Sequence, residues 1–245
     1  MDGVILAAGP GTRLRPLTKA IPKALVSVGP WPLAEHVLRG FVSAGVDNVV
    51  FVTGWLAAKV EAYFADGERW DVATSFVRQG EAKGTAHALA QAEMSVQTTP
   101  FFLAYGDIFV LDARNYTEFL EFHLDGGFDW SIMCDEIDDP WEGAAVYLNG
   151  DGRVERIIEK PPKGTSTTNL NKRGICLLDA RVFDFISDLA PSANGEFYLT
   201  DAIAAAIAAG LSVGGYVVRG FSSDVGTLDR LEDARRRWTA KENEK

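Results

Sequence analysis

The sequence predicts one α/β domain built on a mainly parallel, mixed sheet, and three observations carry that prediction. Short apolar runs alternate with segments of helical period, the first run breaks into a glycine-rich loop, and 245 residues suffice for one sizeable core. With 47% hydrophobic and 24% charged residues, such a chain buries roughly 70–75% of the surface that it exposes when unfolded. No linker, repeat or low-complexity block divides it.

The run over 3–8 reads as a buried strand, because an unbroken apolar stretch of this length suits a parallel sheet covered on both faces. Past Pro32, Leu33, Val37, Leu38, Phe41 and Val42 recur at helical spacing, and Gly45 closes the helix. The alternation continues with a strand over 48–53, a helix over 55–64, a strand over 72–77, a helix over 84–94 and a strand over 101–105. A helix over 116–123 and strands over 130–134 and 144–148 follow, and Asn149-Gly-Asp-Gly152 has the composition of a hairpin turn. The Pro, Lys, Gly, Ser and Thr run over 161–168 reads as a mobile loop. A strand over 174–179, a helix over 199–209, a strand over 213–218 and a helix from Leu228 complete the prediction, with the tail after Trp238 fraying.

The net charge of −10 argues against a nucleic-acid or anionic-membrane partner, since either needs a basic face. No window approaches 18 uninterrupted apolar residues and no basic n-region follows Met1, so the expected location is the cytoplasm. Cys134 and Cys176 stand in apolar runs without a metal-binding spacing and read as reduced core thiols. One stretch reverses the overall sign: residues 1–25 carry Arg13, Arg15, Lys19 and Lys23 against the single acid Asp2. A small polyanion is the natural partner for such a patch.

The glycines of Gly9-Pro-Gly-Thr-Arg-Leu14 follow a buried strand, where freed backbone N–H groups can form an anion-binding nest. The stretch matches neither the P-loop nor the dinucleotide fingerprint, and alone it equally suits an ordinary βα turn. Asp107 ends the strand over 101–105, at the edge where open α/β sheets bind ligands, although a lone Asp there also suits a turn or cap. His36, His87 and His123 fall in predicted helices and read as structural or surface residues.

Taken together, Leu6-Ala-Ala-Gly-Pro-Gly-Thr-Arg-Leu-Arg-Pro-Leu-Thr18 and Pro22-Lys-Ala-Leu25 closely resemble the signature of the sugar-1-phosphate nucleotidyltransferases. The resemblance continues in the family's order through Gln79-Gly-Glu-Ala-Lys-Gly-Thr85, Gly106-Asp107, Glu159-Lys-Pro161, Gly195-Glu-Phe-Tyr-Leu-Thr-Asp201 and Asp224-Val-Gly-Thr227, and so spans almost the whole chain. It implies a Rossmann-like three-layer nucleotidyltransferase fold in a single domain over 1–245. Residues 1–128 would be mainly the nucleotide half, 129–227 mainly the sugar-phosphate half, and 228–245 a C-terminal helix and tail.

The resemblance also implies a nucleotide site made by Leu6, Ala7, Ala8, Gly9, Gly11, Thr12, Arg13, Gln79, Gly84 and Thr85, with Arg13, Lys23 and Asp107 as catalytic groups. Gln79 and Gly84 would contact the base, and Gln79 with Ala8 points to UTP over dTTP, CTP or GTP. Gly84-Thr85 also suits a helix start. Gly143, Glu159, Lys160 and Asn169 would hold the sugar phosphate, and Asp107 with Asp224 would hold Mg²⁺, which favours carboxylates, waters and substrate phosphates. Two departures concern the sugar end: Lys172 stands where relatives commonly have Asn, and Trp31 where Lys is frequent.

Arg15 and Lys19 read as solvated charges, and Glu196 and Asp201 either shape the sugar site or cap the next helix. The expected partners are a nucleoside triphosphate and a sugar 1-phosphate, with homo-oligomer formation left open. The alternative from another class is a non-catalytic nucleotide-sugar sensor, against which the intact Arg13, Lys23, Asp107 and Asp224 speak.

Overall fold

In the computed structural model, which describes residues 1–243, the first strand is β1 (Asp2–Ala7). Two-residue strands β2 (Ser27–Val28) and β3 (Trp31–Pro32) lead to helix α1 (Leu33–Ser43), and β4 (Asn48–Thr53), α2 (Ala57–Phe64), β5 (Ala73–Arg78), α3 (Thr85–Ala90) and β6 (Phe101–Tyr105) follow. Next come β7 (Ile108–Val110), α4 (Arg114–Gly126), β8 (Trp130–Glu136), β9 (Ala144–Leu148), β10 (Val154–Glu159) and β11 (Leu170–Leu178). Helices α5 (Arg181–Ser187) and α6 (Leu199–Ala208), strands β12 (Val213–Val217) and β13 (Ser222–Asp224), and helix α7 (Leu228–Asn243) complete the chain.

The main sheet runs β10-β9-β11-β6-β1-β4-β5, with β8 pairing β11 and β12. Strands β6, β1, β4 and β5 are mutually parallel, whereas β11 runs antiparallel to β6 and β8. The sheet is therefore mixed around a parallel core, and it passes unbroken from the first half of the chain into the second through β6 and β11.

Alternation along β1 explains the layers. Val4 and Leu6 join the core under α3, α5 and α6, while Ile5 and Ala7 join the core under α1, α2 and α4. A smaller cluster of Leu14, Val26, Val28, Phe109 and Leu231 seats α7 on the β7/β13 ribbon. Cys134 and Cys176 are buried and unpaired, as expected.

Four expectations need correction. Helix α3 stops at Ala90, and a single turn over Glu93–Ser95 then brings the N–H groups of Gln97 and Thr98 back to the buried Asp2 carboxylate at 2.6 and 2.8 Å. Strand β11 begins at Leu170 instead of 174, because Lys172 and Arg173, which look like loop residues, are buried in the sheet. The hairpin turn at Asn149 has a full second arm, β10, that charged Glu155 and Arg156 disguise. The tail is helical to Asn243 instead of fraying after Trp238, since Trp238 stacks edge-on against Trp31 and His36 and Lys241 Nζ donates to Leu111 O at 2.9 Å. Residues 244 and 245 lie outside the described residues.

Candidate active site

The parallel strands all deliver their C-terminal ends to one edge. There β1 opens into the loop Ala8–Thr12, β5 leads to Gln79, and β6 leads to Asp107. Gly11 adopts a left-handed backbone (φ 57°), and a Cβ on it would stand 2.9 Å from Lys23 Cβ, so this glycine lets the Lys23 stem pack against the loop. Thr18 Oγ1 donates to Gly11 O at 2.7 Å and pins the same turn. Arg15 and Lys19 are exposed and line neither of the two cavities at this edge.

Two cavities meet at this edge. The smaller, about 370 Å³, is lined by Leu6, Ala7, Ala8, Gly9, Gly11, Thr12, Arg13, Lys23, Gln79, Gly84 and Thr85, which gathers every residue expected around the nucleotide. The larger, about 1260 Å³, takes in Gly143, Glu159, Lys160 and Asp224. Arg13, Thr85, Tyr105, Asp107 and Tyr198 line both, so the two spaces join beside Arg13 and Asp107. Asn169 is the exception: it is exposed, outside both linings, and only its backbone carbonyl is engaged, by the Ile137 N–H. Asn171 lines the larger cavity instead, with its Oδ1 accepting from the Ala144 N–H at 3.1 Å. Asn169 precedes β11, whereas Asn171 is its second residue and is held in register against Asp135 and Ala145.

Asp107 and Asp224, more than a hundred residues apart, become neighbours through the β7/β13 ribbon. Asp224 pairs in register with Ile108, and the Val225 N–H donates to Asp107 O at 2.9 Å. Lys23 Nζ is ion-paired with Asp107. Asp224 accepts from Arg173 at 2.9 Å and from Arg230 at 2.5 Å, and Arg230 also reaches Glu142 across the larger cavity. No cluster of three His, Cys, Asp or Glu side chains suited to a metal occurs among the described residues. The backbones of Asp107 and Asp224 are neighbours and their side chains are 24% and 32% exposed, so these two carboxylates, each ion-paired here with Lys or Arg, could offer oxygens to Mg²⁺, which keeps several waters and uses one or two carboxylates with substrate phosphates.

The larger cavity holds charges that the sequence left without a role. Lys172 is 8% exposed, donates to the Tyr105 hydroxyl at 3.3 Å, and lies over the Tyr105 ring. Burial opposes its charge, yet Tyr105 and Glu159 nearby hold its pKa above the ordinary range. Burial raises the Glu159 carboxyl in turn, against Thr200, Lys172 and Lys160, which lower it. Arg173, also buried, bridges Asp135 and Asp224, and Lys160 Nζ donates to the Tyr198 hydroxyl at 2.7 Å. The available signal was local: Asp135 ends an apolar strand run, and Lys172-Arg173 opens another, where unpaired charges would be costly. Glu196 lines the smaller cavity, whereas Asp201 sits in the first turn of α6 and lines neither.

In the smaller cavity, Gly84 has φ 98°, and a Cβ there would stand 2.5 Å from Phe197 O. Thr85 Oγ1 accepts from the Leu199 N–H at 3.0 Å, so α3 and α6 start locked together. Gly84→Ala is expected to push this junction apart, lowering thermal stability and raising the KM for the triphosphate together; a variant with wild-type melting and KM would contradict the packing described. His36 Nε2 donates to Val28 O at 2.8 Å and its ring lies among those of Trp31, Phe109 and Trp238, while His123 Nδ1 bonds Ser131 Oγ; both are buried. Trp31 carries the Arg39 guanidinium 4.0 Å over its ring and belongs to the α7 contact instead of either cavity.

Comparison with known proteins places this chain in a family. Residues 2–241 match the family model described as nucleotidyl transferase, and the chain belongs to that family. It is 30% identical over 235 residues to the low-salt glycan biosynthesis nucleotidyltransferase Agl11 of Haloferax volcanii, covering 96% of this chain and 65% of that protein. It is also 30% identical over 241 residues to the UTP–glucose-1-phosphate uridylyltransferase AglF of the same organism, covering 97% and 96%. A Bacillus anthracis structure described as a glucose-1-phosphate thymidylyltransferase, solved with a sucrose, superposes with a TM-score of 0.87 at 27% identity over 97% of this chain and 95% of that one. The chain spans about half the length of several other curated relatives it matches.

Proposed function

We propose that this chain transfers a nucleotidyl group from UTP to a sugar 1-phosphate, giving a nucleotide-sugar and pyrophosphate. The observation that carries the reading is the meeting of two cavities at Arg13 and Asp107, one lined by the whole glycine-rich signature and one by Glu159 and Lys160. A triphosphate in the first and a sugar phosphate in the second would face each other at that junction.

A phosphate monoester has a second pKa of roughly 6, so the sugar phosphate is already a competent nucleophile at neutral pH and no general base is required. Its oxygen attacks the α-phosphorus in line as pyrophosphate departs, and the chain contributes positioning and charge neutralisation. Arg13 offers a planar fork to phosphate oxygens and Lys23 a compact charge. Lys160, tethered to Tyr198, stands ready for the sugar phosphate, and Glu159 accepts from ring hydroxyls. Asp107 and Asp224 would hold Mg²⁺, which supplies charge neutralisation at the triphosphate when bound. The sugar role expected of Asn169 passes in this reading to Asn171.

The base preference rests on Gln79. Its Nε2 donates to Gly84 O at 3.3 Å and to His87 Nδ1 at 2.9 Å, and because Gly84 O can only accept, the amide orientation is defined. The amide therefore presents its carbonyl oxygen alone, which suits the N3–H of uracil or thymine and opposes the acceptor N3 of cytosine. Pyrophosphate release measured with four triphosphates against a panel of sugar 1-phosphates tests the reading. UTP with a neutral hexose 1-phosphate is the expected best pair, and a preference for ATP or GTP would overturn the base assignment.

Lys23→Ala gives a separate check on the phosphate role. It is expected to lower kcat/KM while leaving the melting temperature unchanged, because the ammonium faces the smaller cavity beside Asp107. Equal losses of folding and activity would instead make Lys23 a packing residue.

A further inference from the structure

We infer that His87, which lines neither cavity, sets which base Gln79 accepts. This rests on the uridylyl-transfer reading above and adds a specificity-determining residue to it. Both hydrogens of the Gln79 amide nitrogen are committed, one to Gly84 O and one to His87 Nδ1. His87 must then be the tautomer that carries its proton on Nε2, with a lone pair on Nδ1. Gln79 is itself buried, and its Oε1 has no donor among the described residues, yet it is not among the sealed polar atoms that lack a partner. The carbonyl oxygen therefore opens toward the space that Gln79 lines.

An amide can rotate by half a turn with little change of shape, exchanging its acceptor and donor ends. Gly84 O opposes that rotation with one bond of 3.3 Å, and His87 Nδ1 adds the shorter bond of 2.9 Å. Without the imidazole acceptor, one amide hydrogen loses its partner and the rotated amide becomes accessible. In the rotated state the NH₂ group faces the base and can donate to cytosine N3. His87 is thus a positioning residue: it touches no substrate and acts through Gln79. It occupies the first turn of α3, whose start is fixed to α6 through Thr85 and Leu199, so the imidazole is presented from a rigid element.

The test compares kcat/KM for UTP and CTP, with one sugar 1-phosphate, in the wild type, His87→Phe and His87→Asn. The Phe variant keeps the bulk and removes the acceptor; Asn places an amide oxygen near the position of Nδ1. The UTP-to-CTP ratio is expected to fall about tenfold in His87→Phe, chiefly through a higher KM for UTP, and to recover most of that loss in His87→Asn. In a Gln79→Ala background, His87→Phe should leave the ratio unmoved. Should His87→Phe fold poorly by thermal melting, His87→Leu takes its place in the same comparison. A ratio that stays at the wild-type value, or that falls equally in Phe and Asn, overturns the inference. No turnover with any triphosphate would instead remove the transferase reading, and a wild-type preference for another base would remove the uracil reading alone.

Discussion

Asp107→Asn is expected to lower turnover at saturating Mg²⁺ by at least about 100-fold, the scale of removing one strong charge-stabilising group. The amide would keep the shape of the side chain but could not hold a cation against the phosphates, and Lys23 would lose its counter-ion. Asp224→Asn should cost as much in rate, with an added effect on folding. Both of its carboxylate oxygens are taken by guanidinium groups, and Arg173 is buried, so the neutral amide leaves a desolvated cation with only Asp135 and Ser222 to balance it. Asp107→Asn should therefore melt near the wild type and Asp224→Asn below it, while removal of metal abolishes turnover in all three proteins. Near-normal rates in both variants would contradict the assignment of this acid pair.

The largest expected loss of stability lies far from the chemistry, at Glu35 on α1. Its side chain is 3% exposed, and its carboxylate accepts from Tyr63 Oη at 2.6 Å, Arg39 Nε at 2.8 Å, Trp70 Nε1 at 3.1 Å and Arg69 at 3.3 Å. Arg69 also stacks on the rings of Tyr63 and Trp70. Glu35→Ala would strand the buried indole N–H and the phenol without an acceptor, so about 3–5 kcal/mol of stability should be lost. Burial works to raise the carboxyl, but the hydrogen bonds from Tyr63, Trp70 and Arg39 outweigh it and hold the pKa below the ordinary 4.5. A folded-state pKa that is depressed contributes stability above the unfolded value, and that contribution vanishes as pH falls through the folded one. The gap in urea-unfolding free energy between the wild type and Glu35→Gln should thus be full at pH 7 and shrink below about pH 4. An equal gap at both pH values would contradict the account.

The parallel half of the sheet was legible because its strands are continuous apolar runs separated by helical periods: 48–53 and 101–105 are the observed bounds of β4 and β6. What escaped was either short or charged. Strands β7 and β13 have three residues each, too few for any period, yet they are what brings Asp107 beside Asp224. Helix α5, with seven residues, falls under the same limit. The first half of β11 was hidden by Lys172 and Arg173, whose burial only makes sense once Tyr105, Glu159, Asp135 and Asp224 are seen around them.

The site followed the same division. Residues within contiguous motifs, from Leu6 to Arg13 and then Gln79, Gly84 and Thr85, line one cavity. At the larger cavity the fold decides which of two nearby asparagines lines the space, and the sequence could not choose Asn171 over Asn169. The pairing of Gln79 with His87 is likewise a property of the fold, since His87 on its own reads as an ordinary helical residue.

In the proposed function, the two cavities bring a triphosphate and a sugar phosphate together for direct transfer. The most direct measurement follows pyrophosphate and nucleotide-sugar in one reaction with UTP, a hexose 1-phosphate and Mg²⁺, omitting each substrate in turn. The two products are expected in equal amounts, and neither when the UTP or the sugar 1-phosphate is left out. Release of pyrophosphate from UTP alone, or of orthophosphate in its place, would contradict direct transfer.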